Sequence, residues 1–225
     1  MKSLGLLFML LNHFVAPFFP LLMGFTGEPA RHFLTFHFLD LDRYRPEGYW
    51  KHARKLTLWL CFTSAAVLAL DFYYELYYMV QMPLAWLILT WLRPAIFKSP
   101  LPFFITGISI LTVGFSLLLV LDCHTCKYWL SGSNLIGSSM LFAYLKPRLS
   151  GKIPKAALMP LISLYIMTSF INYYLHSATQ ADTFLVGIPL ILIAIALNPK
   201  RILPRSIERY SLALYIGSLW VACIL

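Results

Sequence analysis

Charged residues are scarce in this chain of 225 residues: lysine, arginine, aspartate and glutamate make up 12% of it, and 60% is hydrophobic. Soluble globular domains carry about 25% charged residues. No hydrophilic stretch is long enough for a separate soluble domain, so we expect a single domain over residues 1–225. The scarcity of charge argues against a soluble enzyme and predicts an all-α, polytopic transmembrane helix bundle.

Cysteine is also scarce, with four residues in the chain. Cys123 and Cys126 lie in a predicted outer loop, and two thiols at this spacing can cycle between dithiol and disulfide in an oxidising compartment. A second loop dithiol that would relay electrons is lacking, because Cys61 and Cys223 are isolated within apolar runs. One histidine and two cysteines supply too few ligands for a metal site, so we expect none. A membrane thiol–disulfide oxidoreductase remains an alternative function.

Acidic residues are half as numerous as basic ones, 9 against 18, which gives a formal net charge of +9. In a soluble protein this excess would suggest nucleic acid as a partner. Here 16 of the 18 basic residues are Lys2 or fall in the segments 43–55, 93–98, 146–155 and 200–209, between apolar runs. The positive-inside rule places these segments and the N-terminus in the cytoplasm. We therefore expect membrane lipids as partners, and no nucleic acid.

Apolar runs predict helical spans near residues 4–24, 57–74, 76–92, 102–121, 128–145, 157–175, 183–198 and 210–225. The first run continues to Phe25, so we expect a retained span and not a cleaved signal. If that span leads outward, segment 27–42 must return, because segment 43–55 is the most basic in the chain. We expect 27–42 to be a short, polar, protein-enclosed span, giving about nine spans. The alternative is an interfacial helix, an external N-terminus and eight spans.

Lys2 and His13 are the most informative pair of residues. On a continuous α-helix the eleven steps between them make about three turns, so both side chains share one face, roughly 16 Å apart along the axis. With Lys2 at the membrane surface, His13 lies near the middle of a bilayer core about 30 Å thick, where a titratable side chain is costly. A buried histidine bonded to a neighbouring helix is the structural alternative.

Arg31 lies within or near the membrane in the predicted second span. Intramembrane arginine is rare and normally faces a bundle interior or a polar cavity. His13 and Arg31 would come from adjacent antiparallel helices, where a histidine can act as general base and an arginine can hold a carbonyl or phosphate. Together they predict a polar cavity for group transfer. The alternative is a structural ion pair of Arg31 with Glu28 or Asp40.

The opening of the chain resembles that of the TraX pilin acetyltransferases, and of wider membrane acyltransferases that begin with a basic residue, ten residues and a histidine. Lys2 and His13 carry this resemblance, and the residues that match more loosely are Gly27 to Arg31, Phe33, Phe36, Arg43, Tyr49 and Arg54-Lys55-Leu56, with Leu203-Pro204-Arg205 near the end. Asn12 departs from the family, which usually has aspartate before the histidine. An aspartate can stabilise a charged ring, whereas asparagine can only hydrogen-bond to it.

The resemblance implies an acetyltransferase of the bacterial inner membrane that uses cytoplasmic acetyl-CoA as donor. The acceptor would be the N-terminal amine of a conjugative pilin subunit or a hydroxyl of a surface glycan. His13 would act as general base or carry the acetyl group briefly, with Asn12 and Arg31 as the other candidate catalytic residues. The residues expected to bind acetyl-CoA are Lys2, Arg43, Arg45, Tyr49 and Arg54. Membrane topology alone is the other explanation of these basic residues, and a small transporter is a third function class.

Reporter fusions test the predicted topology. Because basic charge is sorted by loop, we expect fusions after residues 95, 150 and 203 to report the cytoplasm, and fusions after residues 125 and 179 to report the outside. A cysteine introduced at position 2 should resist an impermeant thiol reagent added from outside. Labelling of that cysteine would contradict nine spans and leave the eight-span alternative standing.

Overall fold

The structure is a computed structural model that describes residues 2–15, 18, 20–39, 51, 54, 55, 57–62, 65, 73–120, 124–175, 182–197, 204, 207, 210, 213, 214 and 217. Every regular element in these ranges is helical, which confirms the all-α prediction. The predictions that involve Asp40, Arg43, Arg45, Tyr49 and Cys123 lie outside the described residues. For His13 and Cys126 the structure describes the backbone but not the side chain.

Seven α-helices have described bounds: α1 (Lys2–Leu10), α2 (Pro20–Phe38), α3 (Tyr73–Lys98), α4 (Pro100–Val120), α5 (His124–Leu149), α6 (Leu158–Leu175) and α7 (Asp182–Leu197). The described residues between 51 and 65 are also helical. A π-helical turn, Leu11–Val15, continues α1, and a short 3-10 turn, Lys155–Ala157, precedes α6. The predicted first span, 4–24, is thus divided between α1 and α2. Pro20 opens α2, at a position where the missing backbone N–H of proline costs nothing.

Helix α2 is the centre of the described bundle and contacts α1, α3, α5, α6 and α7. Its 19 residues extend over about 28 Å, close to the thickness of a bilayer core. Large apolar side chains such as Phe33 and Phe36 are fully buried, and so are the polar side chains of His32 and Thr35. The sequence predicts a polar, protein-enclosed span over 27–42. The helix instead begins at Pro20 and ends at Phe38, residues 40–42 lie outside the described residues, and the polar residues Glu28, His32 and Thr35 are buried as the prediction expects.

Helices α1 and α2 are antiparallel neighbours. Gly5 near the start of α1 lies against Leu34 in the second half of α2, so closely that an added Cβ would come 2.9 Å from the Leu34 backbone nitrogen. Asn12, beyond the end of α1, accepts a hydrogen bond of 2.8 Å from the Thr26 hydroxyl in the first half of α2. This arrangement brings the π-helical turn against the first half of α2.

Helices α2 and α3 run in the same direction. Arg31 of α2 donates to the side-chain oxygen of Gln81 at 3.5 Å, and one turn later the Trp86 indole donates to Thr35 at 2.9 Å. The residue numbers of α2 and α3 rise in the same direction along this contact, so the two helices are parallel. The end of α2 therefore points the same way as the end of α3, where Lys98 lies.

Helices α4 and α5 form an antiparallel hairpin that packs through two glycines. An added Cβ on Gly107 would come 2.9 Å from the carbonyl oxygen of Gly137, and one on Gly137 would come 3.1 Å from that of Gly107. Small residues of this kind allow helix backbones to approach closely in membranes. Further along, the rings of Phe104 and Tyr144 stack with centroids 4.3 Å apart.

The described bundle encloses a polar cluster within a mainly apolar core, and its surface also exposes large apolar side chains. Ile105 on α4 and Met159 on α6 are 57% and 68% exposed, and they belong to a series of outward apolar residues on both helices. Large exposed apolar surfaces are rare on soluble monomers. Segment Pro100–Leu117 of α4 is the one described helix that is long and apolar enough to cross a membrane by length and composition. Shorter apolar helices cover Lys155–Phe170 and Val186–Leu197.

A proline inside α2 is compensated by a tyrosine of α6. Pro29 has no backbone N–H, so the carbonyl oxygen of Phe25, four residues earlier, loses its helical donor. The hydroxyl of Tyr165 donates to this oxygen at 2.7 Å, and Tyr165 is buried. The bond that α2 cannot make for itself thus comes from α6 and holds the two helices together.

Tyr165→Phe should destabilise the protein, because it leaves the Phe25 carbonyl oxygen without a donor. We expect a loss of about 1–3 kcal/mol, the usual cost of an unsatisfied buried acceptor. Thermal unfolding in detergent measures the effect, with Tyr210→Phe as control because Tyr210 is 55% exposed. In a Pro29→Ala background, which restores the backbone donor, the same change should cost clearly less. Equal costs in both backgrounds would refute the compensation.

Candidate functional site

Glu28, Arg31 and His32 of α2 form the centre of a polar cluster inside the bundle. Glu28 and Arg31 are three residues apart, so they are neighbours on the helix surface, and they form an ion pair. His32 is one turn beyond Glu28, and its Nδ1 lies 2.9 Å from the Glu28 backbone carbonyl oxygen and 3.3 Å from the Glu28 side-chain Oε2. The side chain of Arg31 is 18% exposed, that of Glu28 10%, and that of His32 is fully buried.

Arg31 forms an ion pair with one of the two partners that the sequence offers. Glu28 is the partner that the structure shows, and Asp40 lies outside the described residues. Arg31 also reaches Gln81 on α3, so its guanidinium connects two helices. Two charges enclosed in this way pay a desolvation cost that their attraction only partly repays. Such a pair is weak support for stability alone, which leaves room for a chemical role.

Asn12, which precedes His13, is hydrogen-bonded to α2. Asn12 lies on the π-helical turn, where its side-chain oxygen accepts from Thr26 and packs over Gly27, at 3.3 Å from the position of an added Cβ. Single π-helical turns inside α-helices occur frequently at functional sites. Because α-helical geometry ends at Leu10, the shared face of Lys2 and His13 stays a prediction. The backbone nevertheless places His13 beside a residue that is bonded to α2.

The structure brings only part of the predicted site together. Asn12 and Arg31 both belong to the packed region of α1, the π-helical turn and α2. Lys2 is partly buried at the start of α1, and Arg54 is helical and exposed. The predictions for Arg43, Arg45, Tyr49 and the side chain of His13 are outside what the structure describes.

Several polar residues of the cluster were not predicted as site residues. His32 is the most important of them, and Gln81, Asn134 and Ser138 are among the other buried polar residues. A signal for His32 exists in the sequence, because Glu28 and His32 are four residues apart in a segment predicted to be enclosed. The partners on α3 and α5 carry no such local pattern.

Comparison of the chain with protein-family models, with curated proteins and with solved structures found no match. Among the described residues, no group of three or more histidine, cysteine, aspartate or glutamate side chains is arranged to hold a metal ion. The chemistry of the site therefore follows from its own geometry: an enclosed ion pair, a buried imidazole and the polar side chains that surround them.

Arg31→Met tests whether the ion pair is energetically coupled. The change keeps a long apolar stem and leaves Glu28 as an uncompensated buried charge, so we expect a loss of about 3–5 kcal/mol in unfolding free energy. Adding Glu28→Gln to Arg31→Met removes that charge and should recover most of the loss. Denaturant unfolding of the single and double variants measures this coupling. Additive losses would show that the two residues act independently.

Proposed function

We propose that this protein is an integral-membrane acetyltransferase that moves an acetyl group from cytoplasmic acetyl-CoA to an amine or hydroxyl acceptor. The observation that carries the proposal is the enclosed cluster of Glu28, Arg31 and His32 in a bundle with an apolar exterior. Ionisable side chains inside a membrane bundle are costly and mark sites of function. The acceptor would be the N-terminal amine of a conjugative pilin subunit or a glycan hydroxyl.

The proposed membrane arrangement is a nine-span bundle in the bacterial inner membrane with a cytoplasmic N-terminus. The parallel direction of α2 and α3 supports it. Helix α3 ends at Lys98, in a basic segment that the positive-inside rule assigns to the cytoplasm. A parallel α2 ends towards the same side, which agrees with segment 43–55 being cytoplasmic. An interfacial helix offers no reason for contacts with five neighbouring helices.

In the proposed reaction the acceptor nitrogen or oxygen attacks the thioester carbonyl carbon. A new carbon–nitrogen or carbon–oxygen bond forms, the carbon–sulfur bond breaks, and free CoA leaves. His13 takes the proton from the acceptor and returns it to the CoA sulfur, so the enzyme is unchanged at the end. Asn12, bonded to Thr26, fixes the turn that carries His13. Arg31 supplies positive charge for the oxyanion that forms on the thioester carbonyl.

Acetyl-CoA would bind at the cytoplasmic ends of the helices. Basic residues occupy the last turns of α3 and α5, where Lys98, Lys146 and Arg148 lie. Cations are favoured at helix C-termini by the helix dipole, and they also suit the phosphates of CoA. These residues would act together with the proposed contacts from Lys2, Arg43, Arg45, Tyr49 and Arg54.

His13→Ala is the direct test of the proposed chemistry. Loss of a general base should reduce acetyl transfer by at least about 10²-fold, while protein level and acetyl-CoA binding stay near those of the wild type. Transfer of labelled acetyl from acetyl-CoA to the acceptor measures the rate. Phe14→Ala is the matched control, because Phe14 is on the same turn and is 43% exposed.

The double variant Cys123→Ser, Cys126→Ser separates this proposal from the oxidoreductase alternative. Acetyl transfer needs neither thiol, so the variant should keep nearly full activity. Loss of function in the cysteine variant, with an oxidant or quinone restoring activity in the wild type only, would favour the oxidoreductase.

Near-normal acetyl transfer by His13→Ala would refute the role of His13.

A further inference from the structure

An apolar groove lies between α1, α2, α6 and α7 and has a volume of about 470 Å³, within the range of about 300–1,000 Å³ that is typical of small-molecule sites. Its lining side chains are apolar apart from the Tyr165 hydroxyl, which donates to the Phe25 carbonyl oxygen. Ile166 and Leu197 line the groove and are 48% and 41% exposed, so in the described part of the chain the groove opens at the bundle surface. Such a lining suits a hydrocarbon and disfavours a polar or charged ligand.

The length of the groove matches the depth of one bilayer leaflet. Its lining on α2 extends from Phe33 to Phe25, about 12 Å along the helix axis. One lipid chain occupies half of the bilayer core, which is about 15 Å. Leu4 lines the end of the groove near Phe33, because the neighbouring Gly5 packs against Leu34. In the proposed membrane arrangement α1 begins at the cytoplasmic surface, so the groove extends from that surface towards the middle of the bilayer.

Basic residues adjoin the groove lining at its cytoplasmic end. Lys2 precedes Leu4 by two residues, and in the sequence Lys200 and Arg201 follow Leu197, the last residue of α7. Basic residues at the cytoplasmic surface of a membrane attract the headgroups of anionic lipids. The charge at this end therefore complements a phosphate, while the groove itself complements a hydrocarbon chain. An anionic phospholipid carries both groups in this order.

We propose that this groove binds one acyl chain of an anionic phospholipid from the cytoplasmic leaflet, with the headgroup phosphate beside Lys2. The orientation of the lipid rests on the proposed membrane arrangement, whereas the preference for a hydrocarbon chain rests on the groove itself. Neither depends on acetyl transfer. The bound chain fills the space that α1, α6 and α7 leave beside α2 and completes the apolar packing around Pro29.

Native mass spectrometry of the full-length protein in mild detergent measures lipid binding. Dioleoylphosphatidylglycerol is the anionic probe, and we expect one molecule of it to bind saturably to each protein. Dioleoylphosphatidylcholine has the same chains without net charge, so it should bind more weakly, by a factor of about five for each basic residue at the headgroup. Dihexanoylphosphatidylglycerol has the same headgroup on chains that are too short for the groove. It should bind at least about 100-fold more weakly, because several methylene groups are missing.

Two tryptophan variants of α6 make the test specific. Ile166→Trp places a larger side chain in the groove lining and should weaken binding of the anionic probe at least about tenfold, since displacing two methylene groups already has this effect. Met167→Trp is the matched control, because Met167 is 56% exposed and does not line the groove. If Ile166→Trp fails to fold, a phosphatidylglycerol with a photoreactive acyl chain locates the site in the wild type. It should label Phe8 and Ile166 in preference to Ile105, an exposed residue of α4.

The lipid site would be overturned if the wild type bound no phosphatidylglycerol saturably, or bound the three lipids equally well. Unchanged binding in Ile166→Trp, or equal labelling of Ile105 and the groove residues, would show general contact with lipid only and would also overturn it. The proposed function fails separately. A wild type that binds the lipid but transfers no acetyl group keeps the lipid site and loses the acetyltransferase, and acetyl transfer without lipid binding has the opposite meaning.

Discussion

The ion pair of Glu28 and Arg31 is the constraint on which the rest of the structure depends. A charged pair inside an apolar bundle is tolerated only where other groups complete its hydrogen bonds and keep lipid away. Five helices surround α2, and Gln81 on α3 adds a polar contact to Arg31. The bundle therefore encloses this polar cluster within a mainly apolar core, and large apolar side chains are exposed on its surface as well.

The same helix depends on its neighbours for backbone hydrogen bonds as well as for charge. Pro29 leaves the Phe25 carbonyl oxygen without a helical donor, and the Tyr165 hydroxyl replaces that donor from α6. Thr26 anchors the π-helical turn through Asn12. Contacts from several neighbours hold this helix in one position, which the proposed group-transfer site would need to keep its reacting groups aligned.

Much of this arrangement could be predicted from the sequence, because its signals are local. Apolar runs identify most of the described helices, and the polarity of segment 27–42 indicates an enclosed helix. The pairing of Arg31 with Glu28 was one of two partners that the sequence offered. The boundary between α1 and α2 was missed, although Pro17 and Pro20 are signals for a break, because the apolar run continues across both prolines. The close packing of Gly187 on α7 against Ser138 and His32 depends on contacts between residues more than 40 positions apart, which no local pattern records.

The most direct test of whether the enclosed cluster performs group transfer compares the wild type with Arg31→Lys in proteoliposomes. The measurement is the acceptor-dependent release of CoA thiol from acetyl-CoA. Lysine keeps the charge that balances Glu28 but loses the planar fork of the guanidinium. We expect release by the wild type and a loss of about tenfold or more in the variant, since a charge-assisted hydrogen bond contributes about 1.5–3 kcal/mol, with an unchanged melting temperature. A catalytic role for the cluster would be contradicted if the wild type released no CoA thiol in response to the acceptor. It would also be contradicted if Arg31→Lys released CoA thiol at the same rate as the wild type.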